Sequence, residues 1–164
     1  MPQVVPITLE PIAGFRQAVG SVARERRCLA MTDPPSLDWA RDLVTRAVQG
    51  GHAHFVALDG GRVVGWCDIR PNPHLGFGHS GAVGMGVVHA WRGRGLGRAL
   101  LAACLDKSMK NGLTRIELEV FAGNAPAIAL YHRLGFVEEG LRRQARFLDG
   151  QYEDILIMAR LGGD

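Results

Sequence analysis

Cysteine is scarce in this sequence, and the few cysteines form no pattern. Cys28, Cys67 and Cys104 are odd in number and far apart along the chain. No two of them have the spacing of a zinc site, and they imply no disulfide framework. We therefore expect no bound metal and a reducing, cytoplasmic location.

Long apolar runs are also lacking. The longest strongly apolar stretch covers residues 99–105, whereas a membrane-spanning helix needs about 20 such residues. The N-terminus has no basic segment followed by an apolar core, as a secretory signal peptide would have. We expect a protein that does not interact with membranes.

Neither sign of charge dominates, and aromatic residues are few. Nineteen basic and 16 acidic residues give a net charge of +3, and aromatic residues make up 7% of the chain. Basic residues cluster at 92–98 and 142–146, without the interleaved aromatic residues that bind single-stranded nucleic acid. We expect no nucleic-acid partner, and the slight basicity also suits a small anionic ligand.

Glycine, in contrast, is abundant. It occupies 22 of the 164 positions, roughly twice its usual share of about 7%. The chain must therefore make many tight turns or bring its backbone close to a ligand. Its length suits one domain, so we predict a single domain over residues 1–164.

The pattern of apolar residues and turn signals predicts strands interspersed with helices. Helices are predicted at 11–27, 36–48, 95–111 and 124–134, and strands at 4–9, 54–58, 62–69, 82–88, 114–121, 136–147 and 152–161. Several consecutive strands are joined by short turns. We therefore predict an α/β (α+β) fold, with a mixed, mainly antiparallel sheet of six to seven strands flanked by about four helices.

Residues 83–98 are the most informative stretch, because a predicted strand leads through a glycine-rich turn into a helix. Gly93, Gly95 and Gly97 alternate with other residues in this turn. Backbone N–H groups at a helix N-terminus bind phosphate, and glycines allow a close approach. Three arginines add positive charge: Arg92, Arg94 and Arg98.

Other phosphate-binding motifs fit this turn poorly. A Walker P-loop is not matched, and the dinucleotide pattern G-x-G-x-x-G starts at Gly93 but has Arg98 at its last position. From the residues alone, a phosphate site and a plain glycine-rich turn with surface arginines both remain open.

Two segments of the chain resemble a known family. Arg92-Gly-Arg-Gly95-Leu-Gly97 matches the acyl-CoA signature Arg/Gln-x-x-Gly-x-Gly/Ala of the GCN5-related N-acetyltransferases, the GNAT family. The later run from Asn124 through Tyr131 to Phe136 resembles the second conserved segment of that family. Residues 115–121 resemble the branch of L-amino-acid and phosphinothricin-type N-acetyltransferases, whose close neighbours act on ribosomal proteins. Over residues 1–80 only the order of elements is similar.

The resemblance implies the GNAT fold and an acetyl-CoA-dependent N-acetyltransferase. The expected acceptor is a primary amine of a small molecule, an amino acid above all, acetylated by direct transfer in a ternary complex. Two alternatives remain: an acceptor that is a peptide N-terminus or an antibiotic, and a non-catalytic sensor of acyl-CoA. Because the final strands often pair between subunits in this family, the resemblance also implies a homodimer.

The resemblance assigns the cofactor contacts mainly to the backbone. Met85 and Val87 would pair with the pantetheine amides, and an N–H near Met85 would polarise the thioester carbonyl. Asn124 would bind near the end of the pantetheine. Arg92 would also bind the cofactor. The pyrophosphate would be held by the amides of Gly93, Arg94, Gly95, Leu96, Gly97 and Arg98.

The resemblance also implies the catalytic residues. Tyr131 would protonate the departing thiolate, since a phenol with a pKa of about 10 is neutral at pH 7. Glu119 is the candidate base, and a water chain is the alternative, because an α-amine of pKa about 7.7–8.0 needs only a weak base. The predicted strand 82–88 has no carboxylate, unlike that of family members that keep their base there.

Overall fold

A computed structural model describes residues 1–162. The elements in chain order are β1 (Gln3–Pro6), α1 (Ile12–Ala23), α2 (Leu37–Gly50), β2 (Ala53–Asp59), β3 (Arg62–Pro71), β4 (Ser80–Val87), α3 (Leu96–Lys110), β5 (Arg115–Phe121), α4 (Ala125–Arg133), β6 (Val137–Leu148) and β7 (Gln151–Leu161). A short 3-10 helix, His89–Trp91, precedes α3. Within this part of the chain, no helix has the length and apolarity needed to span a membrane.

The seven strands are hydrogen-bonded in the order β1-β2-β3-β4-β5-β7-β6. The β4–β5 pair is parallel, and the pairs β1–β2, β2–β3, β5–β7 and β6–β7 are antiparallel. The predicted mixed, mainly antiparallel sheet with four flanking helices is therefore confirmed.

Local signals set most of the element ends. The Ser36 hydroxyl accepts a hydrogen bond from the N–H of Trp39 at 3.0 Å, so α2 has the side-chain cap that the sequence predicts. The β2–β3 hairpin turns at Gly60 and Gly61, both with positive φ. Positive φ at both central residues matches the right-handed twist of the flanking strands.

Two predicted elements are shorter than expected. The first helix was predicted to reach residue 27, but α1 ends at Ala23, and Arg26 has a φ of 60° that no α-helix accommodates. The first strand was predicted to reach residue 9, but β1 ends at Pro6. The charged run at residues 24–27 has no apolar face to continue the helix against the core.

The chain divides into two compact units. The first, here called the N-terminal unit, comprises residues 1–70 and 84–111; the second, the C-terminal unit, comprises residues 71–83 and the chain from 112 onward. The boundary falls within β4.

The core of the N-terminal unit forms where α1 and α2 pack on the sheet. Phe15 is fully buried, and its ring lies edge-on to His54 at 5.0 Å and to Trp66 at 6.2 Å. A third helix, α3, also contacts this part of the sheet: the thiol of Cys104 on α3 donates to the carbonyl of Cys67 on β3 at 3.0 Å. Both cysteines are buried, as expected of small apolar side chains.

The C-terminal unit has an irregular edge strand. The register of β6 against β7 shifts twice, once between Glu138 and Gly140 and once between Arg142 and Arg146. At the second shift Gln144 has a φ of 51°, and its N–H donates to a carboxylate oxygen of Asp154 at 2.7 Å. At this shift three residues of β6 lie opposite one residue of β7, so the strand carries a β-bulge with two extra residues.

Candidate active site

The N-terminus of α3 presents backbone N–H groups that the helix does not use. The first intrahelical bond runs from the N–H of Ala99 to the carbonyl of Gly95, at 3.1 Å. The three N–H groups before it have no acceptor within the helix, and no side chain caps them. Gly93 and Gly95 adopt φ values of 75° and 82°, which only glycine adopts easily. Such a helix end is suited to a phosphate group.

The side chain of Arg92 is already engaged within the N-terminal unit. Its Nε donates to the carbonyl of Val87 at 2.9 Å, and its two terminal nitrogens donate to the carboxylate of Glu25 at 2.6 and 2.7 Å. The hydrogen bonds to Glu25 raise the pKa of Arg92 above its ordinary value. The guanidinium therefore joins the end of β4 to the residues after α1, and its charge is neutralised by Glu25.

Positive charge at the turn comes instead from Arg94 and Arg98. Both side chains are exposed. The guanidinium of Arg94 lies over the ring of Trp91, 4.7 Å from its centroid. This contact fixes one cation beside the open helix end.

The second half of β4 holds the predicted pantetheine contacts. The ladder from β4 to β5 pairs Ser80, Gly81 and Ala82 with residues 115–117, and β4 continues for five more residues to Val87. Met85 and Val87 lie in this continuation and are half-buried.

The two glycines in this continuation have side-chain neighbours that explain them. A Cβ on Gly86 would lie 2.4 Å from the Trp66 ring, so Gly86 makes room for the tryptophan of β3. A Cβ on Gly84 would lie 3.2 and 3.3 Å from the carboxylate oxygens of Asp68. Its third neighbour would be a terminal nitrogen of Arg70 at 3.4 Å, so Gly84 makes room for the ion pair of Asp68 and Arg70.

Asp68 is a buried acidic residue of the N-terminal unit. It is 4% exposed, and its Oδ1 makes no hydrogen bond. The Nε of Arg70 lies 3.1 Å from Oδ1 and forms an ion pair with it, but the angle between the two groups is unsuited to a hydrogen bond. The Arg70 side chain is half-exposed. Burial raises the pKa of Asp68 to about 6, and Arg70 opposes this increase.

His54 lies opposite Asp68 in the β2–β3 register. It is 3% exposed, and neither ring nitrogen has a hydrogen-bond partner in the described chain. Burial, followed by the charge of Arg70, lowers the pKa of His54 to about 4. His54 is therefore neutral at pH 7 and contributes no positive charge beside Asp68.

An open apolar cleft of about 430 Å³ lies at the start of α1 and along α2 in the same unit. It is lined by Leu9, Ile12, Ala13, Leu37, Arg41 and Thr45. None of the residues predicted for the site lines this cleft.

In the C-terminal unit, Asn124 directly precedes α4, and Tyr131 lies within it. The side-chain oxygen of Asn124 accepts from the N–H of Ala127 at 3.4 Å, so the residue caps the helix. Tyr131 is 8% exposed, and its ring lies 5.8 Å from that of Phe136. Its carbonyl accepts from the N–H of Phe136 at 3.0 Å.

Glu119 is half-exposed on β5 and forms an ion pair with Arg142 of β6. Its neighbour on the same face, Glu117, is bound by Arg115 at 3.0 Å. The carboxylates of β5 are therefore both compensated by arginines. Arg146, in the basic cluster at 142–146, binds Glu153 at 2.7 Å, and its guanidinium lies over the ring of Phe121.

Comparison with protein families matches this chain to one family. The sequence model of the acetyltransferase (GNAT) family matches residues 22–136, which include the α3 turn, β5 and α4. The chain belongs to the GNAT family. The predicted enzyme class, an N-acetyltransferase, is thereby confirmed.

Individual GNAT proteins support this assignment. The chain is 33% identical to L-amino acid N-acetyltransferase AaaT of Escherichia coli K12 over 135 residues, 81% of each chain. It is 36% identical to N-alpha-acetyltransferase RimI of Mycobacterium tuberculosis over 131 residues, 77% of each. A phosphinothricin acetyltransferase of Sinorhizobium meliloti, solved in complex with acetyl-CoA, has the same fold, with a TM-score of 0.91, 21% identity and coverage of 98% of this chain and 89% of that one. The resemblance to the GNAT family is confirmed, and the L-amino acid N-acetyltransferase among the relatives agrees with the predicted amino-acid branch.

Sequence reasoning missed three features of this GNAT chain. It did not anticipate that Glu25 binds Arg92 or that Trp66 requires Gly86. It also passed over Asp68, although a signal was present: residues 63–69 are otherwise free of charge and all buried. A carboxylate inside a buried strand is uncommon and indicates a specific role.

Proposed function

We propose that this enzyme acetylates the primary amine of a small molecule, an L-amino acid above all, with acetyl-CoA as donor. The observation that carries the proposal is the open N-terminus of α3, with its unused N–H groups and two exposed arginines. This set of donors suits the pyrophosphate of acetyl-CoA. The amino-acid acceptor is supported by the similarity to the E. coli L-amino acid N-acetyltransferase.

The backbone residues have distinct proposed roles. The amides of residues 93–98 bind pyrophosphate, and the backbone of Met85 and Val87, past the end of the β4–β5 ladder, binds the pantetheine arm. Asn124 binds near the end of that arm. Its side-chain nitrogen makes no hydrogen bond within the described chain, so it can donate while its oxygen caps α4. Arg92 has a supporting role, because Glu25 neutralises its charge.

Acetyl-CoA, when bound, supplies an acetyl group activated as a thioester. Tyr131 is the proposed proton donor to the departing sulfur. Glu119 is the proposed base, directly or through a water chain; it can accept a proton once its ion pair with Arg142 opens or is bridged by water.

Burial of two of the cysteines supports direct transfer of the acetyl group in a ternary complex. Cys67 and Cys104 are buried, and burial raises the pKa of the Cys67 thiol well above its ordinary value. A buried protonated thiol is a poor nucleophile, which disfavours an acyl-enzyme on these residues. Free thiols also suit the expected cytoplasmic location.

The proposal also includes a homodimer, in which the C-terminal units of two copies contact each other. More than half the surface of four apolar side chains on β6 and β7 is exposed: Val137, Leu141, Phe147 and Leu161. Light scattering at micromolar concentration tests this part, since a monomer would refute it.

Thiol release from acetyl-CoA tests the main proposal. The panel comprises the common L-amino acids, peptides with free N-termini, polyamines and phosphinothricin. Tyr131→Phe should lower kcat by about 100-fold or more, as expected for loss of a general acid. Tyr152→Phe is the matched control, because Tyr152 is exposed and lies outside the proposed site.

The outcomes separate the acceptors. Turnover on free amino acids supports the proposal, and turnover on peptides alone assigns a peptide N-terminus as the acceptor. Saturable binding of acetyl-CoA without turnover on any amine favours the non-catalytic sensor. A protein that binds no acetyl-CoA contradicts the proposal altogether.

A further inference from the structure

A bidentate ion pair joins the residues after α1 to the end of β4 within the N-terminal unit. The terminal nitrogens of Arg92 donate to the two carboxylate oxygens of Glu25 at 2.6 and 2.7 Å. Its Nε donates to the carbonyl of Val87 at 2.9 Å. The Glu25 side chain is only 22% exposed. All three nitrogens of the guanidinium therefore bind this chain, and they connect segments that lie 67 residues apart.

The backbone of Glu25 is fixed at the end of α1. Its N–H donates to the carbonyl of Val22 at 3.2 Å, and the next N–H, that of Arg26, donates to the carbonyl of Ala23 at 3.0 Å. Val22 and Ala23 are both buried in the core. The carboxylate of Glu25 is thus attached to a helix end that cannot shift easily, and its bidentate pairing holds the guanidinium in one orientation.

At its other end the guanidinium fixes the last peptide group of β4. The N–H of Val88 donates to the carbonyl of Val64 on β3 at 2.9 Å, and the carbonyl of Val87, in the same peptide group as that N–H, accepts from Arg92. Arg92 directly precedes Gly93, where the turn into α3 begins. One side chain therefore links the strand end proposed for the pantetheine arm to the turn proposed for the pyrophosphate.

We propose that Glu25 is a positioning residue for acetyl-CoA, acting through Arg92 to set the distance between the Val87 peptide group and the turn at residues 93–98. This inference rests on the proposed function, in which these two backbone segments bind the pantetheine arm and the pyrophosphate. A ligand that binds two linked sites gains affinity only when the separation of the sites matches the ligand. Glu25 itself touches neither part of the ligand.

Removal of the Glu25 charge separates positioning from simple charge attraction. Glu25→Gln keeps the size of the side chain but loses the bidentate ion pair, so the positive charge of Arg92 is no longer neutralised. If Arg92 attracted the pyrophosphate by its charge, this variant should bind CoA more tightly than wild type does. If the pair positions the backbone, the variant should bind CoA roughly 3- to 10-fold more weakly, which corresponds to one hydrogen bond to the pantetheine arm.

The experiment compares CoA with ADP, which has the pyrophosphate but no pantetheine arm. Calorimetry measures the affinity for CoA, and ligand-detected NMR measures the affinity for ADP. Glu25→Gln should bind ADP no more weakly than wild type does, because ADP needs only the turn. Arg92→Lys keeps the charge but places all its donors on one nitrogen, whereas Arg92 uses three, so it should also weaken binding of CoA.

Glu10→Gln is the matched control, because it makes the same chemical change at an exposed residue before α1. It should leave both affinities unchanged. Thermal unfolding confirms that each variant is folded.

The outcomes distinguish this inference from the proposed function. Weaker binding of CoA by Glu25→Gln and Arg92→Lys, without weaker binding of ADP, supports the inference. Equal or tighter binding of CoA by Glu25→Gln overturns it while leaving the proposed function intact. A loss of ADP binding as large as the loss of CoA binding also overturns it, since the effect would then lie at the turn alone. Wild-type protein that binds no CoA contradicts the proposed function as well.

Steady-state kinetics adds a readout that a merely structural role would not move. Where turnover is measurable, Glu25→Gln should raise KM for acetyl-CoA and leave KM for the amine unchanged. Equal changes in both values would contradict a role in positioning acetyl-CoA.

Discussion

Replacement of His54 should make the protein more resistant to acid. The imidazole is buried against Phe15, its ring nitrogens make no hydrogen bond in the described chain, and its pKa is lowered from 6.5 to about 4. Below pH 6.5 the unfolded chain takes up a proton at this residue and the folded chain does not. Folding therefore loses stability as the pH falls from 6.5 towards 4, and the full loss is about 3 kcal/mol.

His54→Leu, a change to an apolar side chain of similar volume, removes this loss. The assay is urea unfolding of both proteins at several values between pH 7.5 and 4.5. The free energy of unfolding of the variant, relative to wild type, should increase by about 2.5 kcal/mol between pH 7.5 and 4.5. Asp68 titrates with the opposite sign, because burial raises its pKa, but it is present in both proteins and contributes little to the difference.

The control is His74→Leu, since His74 is exposed in the loop before β4. This variant should follow the wild-type dependence on pH. If His54→Leu and wild type lose stability in parallel down to pH 4.5, His54 takes up a proton in the folded protein as readily as in the unfolded chain. That result would contradict its burial without hydrogen-bond partners.

Three further predictions concern packing, capping and the turn. Gly86→Ala should lower the free energy of unfolding by about 1–3 kcal/mol, because its methyl group would overlap the Trp66 ring; urea unfolding measures it, and an unchanged midpoint would show that the ring moves aside. Ser36→Ala should lower the free energy of unfolding by about 1 kcal/mol, because α2 loses its side-chain cap, and the measurement is a lower Tm. An unchanged Tm would mean that water replaces the hydroxyl. Glu25→Gln and Arg92→Gln should be strongly non-additive in a double-mutant cycle of unfolding free energies, whereas additivity would show that the bidentate pair contributes nothing.

Features that depend on neighbouring residues could be predicted from the sequence. The hydroxyl of Ser36 and the amide of Asn124 cap the helices that begin just after them. The hairpins turn at Gly60-Gly61 and at Asp149-Gly150, where positive φ is needed. In each case one or two residues satisfy a local backbone requirement, so the pattern alone indicates the structure.

Contacts between residues far apart in the chain could not be predicted. Arg92 has the family's signature position for acyl-CoA, yet its partner Glu25 lies 67 residues away. Glu119 is paired with Arg142, 23 residues further on. Periodicity and spacing describe one helix or strand at a time. They do not indicate which charged side chain of another element forms an ion pair with a residue of that helix or strand.

The glycines of β4 illustrate the same limit. Glycine within a strand often marks a place where another group closely approaches the backbone, and β4 has two such residues in its second half, Gly84 and Gly86. The structure gives each of them a different neighbour from β3: the ring of Trp66 for Gly86 and the carboxylate of Asp68 for Gly84. Residue type indicated the need for space, and only the fold shows what uses it.

The bulge in β6 restricts how this protein can associate with itself. A strand at the edge of a sheet normally offers a continuous row of backbone groups to a second molecule, which is a route to aggregation. In β6 the row is interrupted at Gln144, whose N–H is already taken by Asp154, and arginines surround the interruption. Two copies can therefore not join their sheets along the whole of this edge. We therefore expect a dimer formed through β6 to depend on side-chain contacts, so that point substitutions on β6 and β7 separate the subunits without unfolding either one.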